Sequence, residues 1–134
     1  MGIHKKILLV DDDADDQLFF VDAIKELEPG IDCKVAENGL EALNHLENIP
    51  PPPSLIFLDL NMPIMNGYEC LAILKKTEAY REIPVIIFTT SNQQKDLERS
   101  IGMGANMFLT KPFDFNILKS KLQDILKMHF AAIV

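Results

Sequence analysis

Four short apolar runs, each stopped by a polar residue and separated by stretches of helical periodicity, constrain this chain more than any other feature. Ile7-Leu8-Leu9-Val10 ends in Asp11-Asp12-Asp13, and Leu55-Ile56-Phe57-Leu58 ends in Asp59. Val85-Ile86-Ile87-Phe88 ends in Thr89-Thr90-Ser91, and Met107-Phe108-Leu109-Thr110 runs into Lys111-Pro112. A further strand is expected near Asp32 to Ala36, and helices near 14–28, 39–47, from 66–67 onward, 94–101 and 114–130. Five strand-helix repeats with short connections predict an α/β fold, a parallel sheet covered on both faces by right-handed crossovers. In such open sheets, ligands bind beyond the carboxyl ends of the strands. The carboxylates, hydroxyl and ammonium at these strand ends then converge on one crevice, suited to a divalent cation and a phosphoryl group.

The helices carry their own signals. Leu18, Val21, Ile24 and Leu27 are expected to form the inner face of the first, stopped by Pro29-Gly30, and Leu40, Leu43 and Leu46 that of the second. Cys70, Leu71 and Leu74 serve the third, and Leu118, Leu122, Ile125 and Leu126 the last. Four consecutive prolines, Pro50 to Pro53, exclude helix or central strand and predict a stiff, polyproline-like connector. That run is read as a rigid spacer, with a docking site for a proline-reading partner as the alternative.

Length and composition set the outer bounds. The 134 residues are expected to make one domain, 1–134, with its core at about 6–130. A hydrophobic share of 48% excludes a disordered chain, and a net charge of −7 disfavours direct nucleic-acid binding. No apolar run is long enough to span a bilayer and no secretory leader is visible, so a soluble, cytoplasmic protein is expected. Lys6 stands where myristoylation of Gly2 would need Ser or Thr. Cys33 and Cys70 read as buried, reduced thiols.

The strand-end residues point to phosphoryl chemistry. Carboxylates a few ångströms apart repel one another unless a cation lies between them, so Asp11, Asp12 and Asp59 form a candidate metal site. All-oxygen ligands favour a hard ion, Mg²⁺ above all, with Mn²⁺ as a substitute. Asp13 is placed to cap the first helix, with Asp15 and Asp16 in its first turn as capping or surface residues. Asp59, alone at its strand end, is the candidate nucleophile, forming an acyl phosphate. The transferred oxygens need neutralising, and the cation, Lys111 and the Thr89 hydroxyl supply one contact each.

On these residues the chain resembles the receiver domains of bacterial two-component response regulators, the chemotaxis-regulator fold. The carrying motifs are Val10-Asp11-Asp12, Asp59-Leu60-Asn61-Met62-Pro63 with Asn66-Gly67 beyond, Phe88-Thr89-Thr90, and Gly104-Ala105-Asn106 through Phe108 to Lys111-Pro112-Phe113. The resemblance covers Lys6 to about Phe130. It implies a flavodoxin-like (βα)5 three-layer sandwich with strand order 2-1-3-4-5. Asp59 then accepts phosphate from a histidine kinase or histidine phosphotransfer protein. Asp12 and Asp59 ligate Mg²⁺ directly, Asn61 through its backbone carbonyl, and Asp11 through water. Phe108 is the implied aromatic switch, and the Lys111-Pro112 bond is implied to be cis. Thr90 stands where a smaller residue is frequent, which bears on access to the phosphate and its lifetime. The Pro run and Thr89-Thr90-Ser91 resemble the single-domain branch of the family.

Switching would then proceed by a population shift of the surface formed by the fourth helix, fifth strand and fifth helix, read by a downstream protein, by a homodimer or through onward phosphotransfer. The apolar tail Ala131 to Val134 packs as an ordinary terminus or supports the dimer. Beyond promoting its own phosphorylation and slow dephosphorylation, no enzymatic activity is expected. Two rivals are a haloacid-dehalogenase-like phosphatase, which uses Asp-x-Asp where this chain has Asp59-Leu60-Asn61, and a constitutive receiver-fold interaction module without switching.

Overall fold

The computed structural model describes residues 5–130; the expectations for Gly2 and for the apolar tail lie outside the described residues. Ten elements alternate: β1 (Lys6–Val10), α1 (Ala14–Leu27), β2 (Asp32–Ala36), α2 (Gly39–Asn48), β3 (Leu55–Leu58), α3 (Gly67–Lys76), β4 (Val85–Thr89), α4 (Gln94–Gly102), β5 (Met107–Thr110) and α5 (Phe115–His129). The strands form one parallel sheet in the order β2-β1-β3-β4-β5, as expected.

Because successive strand residues face opposite sides, the apolar runs feed two separate cores. Ile7, Leu9, Leu55, Phe57, Ile86 and Phe88 point to the side covered by α1 and α5. Leu8, Val10, Ile56, Leu58, Val85 and Ile87 point to the side covered by α2 and α3. Phe20, Phe57 and Phe88 stack edge-on or tilted at 4.8, 5.7 and 6.1 Å between ring centroids, joining α1 to the sheet centre. Helix starts are fixed by side-chain caps: Asp13, Asn38 and Asp114 accept from backbone N–H groups, and Asn66 forms a capping box with Glu69. Helix α4 has no side-chain cap and buries only Ser100, so it is the least anchored of the five.

Four local expectations need correcting. The buried face of α1 is Phe20, Ala23 and Ile24, while Leu18 is 58% exposed. The sheet and α5 select the stripe that includes Phe20, which leaves Leu18 on the flank beside β2. Helix α2 buries Gly39, Ala42 and Leu46, with Leu40 exposed, because small residues let it approach Met65 and Cys70 closely. The proline run is no uniform polyproline helix, since the Pro50–Pro51 bond is cis. It is clipped to the sheet by Lys6, whose buried Nζ donates to the carbonyls of Ile49 (3.2 Å) and Pro51 (3.0 Å). The Lys111–Pro112 bond is trans, the isomer an X-Pro bond ordinarily prefers. The buried faces of α3 and α5 are those expected.

Candidate functional site

The crevice lies where β1 diverges toward β2 and β3 leads on to β4. Asp11 directly follows β1; its N–H donates to Ala36 O (2.9 Å), and the Gln17 side-chain amide donates to its carbonyl (2.7 Å). Its carboxylate is fully buried, and Oδ1 accepts the Asp13 N–H at 3.0 Å. Asp59 N–H donates to Val10 O (2.9 Å), which sets the two strand ends side by side. Its Oδ1 accepts the Leu60 N–H at 2.7 Å. Asp11, Asp12 and Asp59 present ligand atoms all within 4.8 Å of one another, Asp12 from the exposed rim. Asn61 lies exposed in the loop that follows.

That loop is held by close backbone contact. A Cβ on Gly67 would meet Asp59 O at 2.1 Å and Leu60 Cα at 2.7 Å, so only glycine fits, and Gly67 N–H donates to Leu60 O. Ile64 has φ +68° between Pro63 O and Met65 N–H, bonded at 2.7 Å; this is a γ-turn with a β-branched residue in the left-handed region.

Lys111 reaches the same crevice from β5, its N–H fixed to Thr89 O at 2.7 Å. Its side chain is 8% exposed, and Nζ lies 2.8 Å from Asp11 Oδ2, 2.8 Å from Asp16 Oδ2 and 3.0 Å from Asp59 Oδ2. Burial alone would lower the ammonium's pKa, but its bonds to Asp11 and Asp16 and the charge of Asp59 outweigh that and hold it above its ordinary value. Burial pushes the Asp11 carboxyl up to about 6, against the opposing pull of Lys111. Asp11 Oδ2 has no well-aligned hydrogen-bond donor, so its contact with Nζ is an ion pair with lone-pair capacity to spare. A buried carboxylate oxygen with lone-pair capacity left over, in a cluster of carboxylates, is an environment that a hard divalent cation satisfies.

The other anticipated residues surround this centre without entering it. Thr89 is buried, and its hydroxyl accepts the Ser91 N–H at 3.4 Å. Thr90 is exposed at the end of β4, and Phe108 is half-buried against the core beneath α2 and α3. Two features have no counterpart in the reading of the sequence. One is Asp16, taken there as a surface residue. It stands three residues after the cap, where a Glu would close a capping box, and its carboxylate instead bonds Lys111. The other is a polar relay leading from Thr89: Ser91 Oγ donates to Asp96 Oδ2 (2.6 Å), Tyr68 OH donates to Asp96 Oδ1 (2.6 Å), and Arg99 lies 3.8 Å over the Tyr68 ring. The bonds from Ser91 and Tyr68 hold the Asp96 carboxyl below its usual range.

Comparison with known proteins gives one answer. Residues 7–123 match the family model described as the response regulator receiver domain. A probable transcriptional regulator, ycf29, of Pyropia yezoensis is 39% identical over 125 residues, 90% of this chain and 53% of that protein. The match spans about half the length of that regulator, but 83% of response regulator Rcp1 of Synechocystis, 33% identical over 129 residues. A phosphorylated cyanobacterial phytochrome response regulator, RcpA, superposes with TM-score 0.89 at 28% identity, covering 97% of this chain and 96% of that one. The Mn²⁺-bound form of response regulator Rcp1 superposes with TM-score 0.82 at 32% identity, covering 92% of each.

Proposed function

The chain belongs to the response regulator receiver family of two-component signalling, and from that premise we propose that it is a phosphoacceptor switch with Asp59 as the site of phosphorylation. The observation that carries this is Lys111 Nζ sitting 3.0 Å from Asp59 and 2.8 Å from Asp11, inside a cluster of carboxylates. An Asp59 carboxylate oxygen attacks the phosphorus of a phosphohistidine on a kinase or phosphotransfer protein. The new O–P bond forms as the P–N bond breaks, leaving an acyl phosphate and a free imidazole. Asp12, Asp59 and the Asn61 carbonyl would hold Mg²⁺, or Mn²⁺ in its place, with Asp11 assisting. The cation, when bound, neutralises charge on the phosphoryl oxygens.

Lys111 is already paired with three carboxylates, so phosphorylation of Asp59 exchanges one carboxylate partner for a phosphoryl oxygen. The Thr89 hydroxyl has only the long bond from Ser91 to give up before it turns toward the phosphate. Movement of Thr89 releases space that Phe108 fills, and Thr90 at the rim modulates hydrolysis. The surface of α4, β5 and α5 changes with it, and a downstream protein or a second copy of the chain prefers one form. No turnover of a small substrate is part of this account.

The test is intact-protein mass after incubation with acetyl phosphate. The wild type gains one phosphoryl group in Mg²⁺ and none in chelator, and Asp59→Asn gains none. A wild type that stays unmodified, with acetyl phosphate and with phosphorylated kinases alike, contradicts the proposal.

A further inference from the structure

The three N–H donors of the Lys111 ammonium face three carboxylates, and Asp16 is the one outside the candidate cation site. Its Oδ2 is as near to Nζ as that of Asp11, 2.8 Å, and nearer than that of Asp59, 3.0 Å. It is carried by the first turn of α1, not by a strand end. That turn is rigidly placed: Asp16 N–H donates to the Asp13 cap at 2.9 Å, and the Gln17 amide ties the next residue to Asp11 O at 2.7 Å. The Asp16 side chain is 31% exposed and that of Lys111 8%, so the pair sits at the lip of the crevice with the ammonium below.

Asp11 and Asp59 both pair with the ammonium, and in the phosphoacceptor reading they would serve a divalent ion as well. Each carboxylate oxygen that Lys111 engages fully is an oxygen withdrawn from the metal. A third carboxylate that pulls Nζ toward α1 relieves that competition. We infer that Asp16 is a positioning residue for Lys111: it draws the ammonium to the α1 wall of the crevice, keeping oxygens of Asp11 and Asp59 available to the divalent cation while aiming the ammonium at phosphoryl oxygens arriving on Asp59. This inference rests on the phosphoacceptor reading above, and Asp16 acts only through the ammonium, lying outside the carboxylate group that would hold the divalent ion.

Mn²⁺ alone is the probe, its free concentration followed by electron paramagnetic resonance during titration of the full chain. Wild type, Asp16→Asn and Asp15→Asn are compared, each also in a Lys111→Met background. Asp15 lies in the same helical turn with the same charge, so its variant controls for net charge and helix dipole. Asp16→Asn should weaken Mn²⁺ binding by about fivefold beyond Asp15→Asn, the upper end for a partly exposed ion pair. That difference should vanish when Lys111 is Met, and Asp16→Glu should keep most of the affinity. Equal losses for Asp16→Asn and Asp15→Asn, or a loss that persists without Lys111, overturn the inference. A wild type that binds no Mn²⁺ and takes no phosphoryl group overturns the phosphoacceptor reading as well. A wild type that does both, with Asp16→Asn no weaker than Asp15→Asn, overturns the role of Asp16 alone.

Discussion

Replacing Gly67 with alanine separates helix propensity from close packing, because the two predict opposite signs. Gly67 opens α3, and in a helix interior Gly→Ala ordinarily gains about 0.5–1 kcal/mol. Here the added Cβ would stand 2.1 Å from Asp59 O and 2.7 Å from Leu60 Cα. Both are backbone atoms, so no side chain can rotate away. Reaching even the 3.0 Å floor of real Cβ contacts moves the Asp59 carbonyl by close to an ångström. Overpacking of this kind costs about 1–3 kcal/mol, enough to reverse the propensity gain. The displaced atom belongs to the proposed phosphoacceptor, and misplacement by about 1 Å lowers rates by up to about a hundredfold. Gly102→Ala is the control: nothing lies within 4 Å of its Cβ, so it should be neutral or stabilising by up to about 1 kcal/mol. Urea unfolding followed by circular dichroism gives the stabilities, and acetyl phosphate uptake gives the rates. A Gly67→Ala protein as stable as wild type, with undiminished uptake, refutes the reasoning.

Three further outcomes follow from titratable groups away from the phosphoacceptor. Burial lowers His45 and His129 below their ordinary 6.5, so as pH falls through that value the unfolded chain binds protons that the native chain does not. Unfolding free energy should therefore drop as pH falls from about 7 to 5, by at most about 1.4 kcal/mol per pH unit for each histidine, and the slope should flatten in His45→Gln/His129→Gln. Cys70 is buried but Cys33, expected to be buried too, is only partly so. Burial pushes both thiols up to about 12, so the native protein should react slowly with thiol-disulfide reagents near pH 8, Cys70 slowest, and fast when unfolded. Rapid native labelling of Cys70 contradicts the packing. Tyr68→Phe removes one of two donors from Asp96, so the Asp96 carboxyl should titrate higher by NMR and amides in the first turn of α4 should exchange faster. Unchanged titration and exchange would show that the relay does not restrain α4.

Features that depend on a continuous local pattern were legible in the sequence. The strand runs, the Asp13 cap and the buried face of α5 are of this kind, and the convergence of Asp11, Asp12, Asp59 and Lys111 followed from their shared place at the ends of parallel strands. Helix α1 offers Leu18-Phe19-Phe20-Val21 in sequence, so more than one apolar stripe is available, and only the position of α5 and the sheet selects Phe20. In α2 the buried residues include Gly39 and Ala42, which hydrophobic ranking places below Leu40, although close approach is what the packing demands. Asp16 read as a helix-dipole residue because it stands in the first turn of α1 and not at a strand end, so nothing local marked its pairing with Lys111, 95 positions away. The Ser91–Asp96–Tyr68 relay draws a residue from the β4–α4 loop and one from each of two helices, so no window of sequence contains its logic.

The account stands or falls on which atom receives the phosphoryl group. Borohydride reduces an acyl phosphate to the alcohol, so treating the phosphorylated protein and mapping its peptides by mass spectrometry identifies the acceptor. The account predicts homoserine at position 59 alone, formed only when a divalent cation was present during phosphorylation. Conversion at Asp11, Asp12 or Asp16, or a phosphoryl group that resides on a histidine instead, would contradict it.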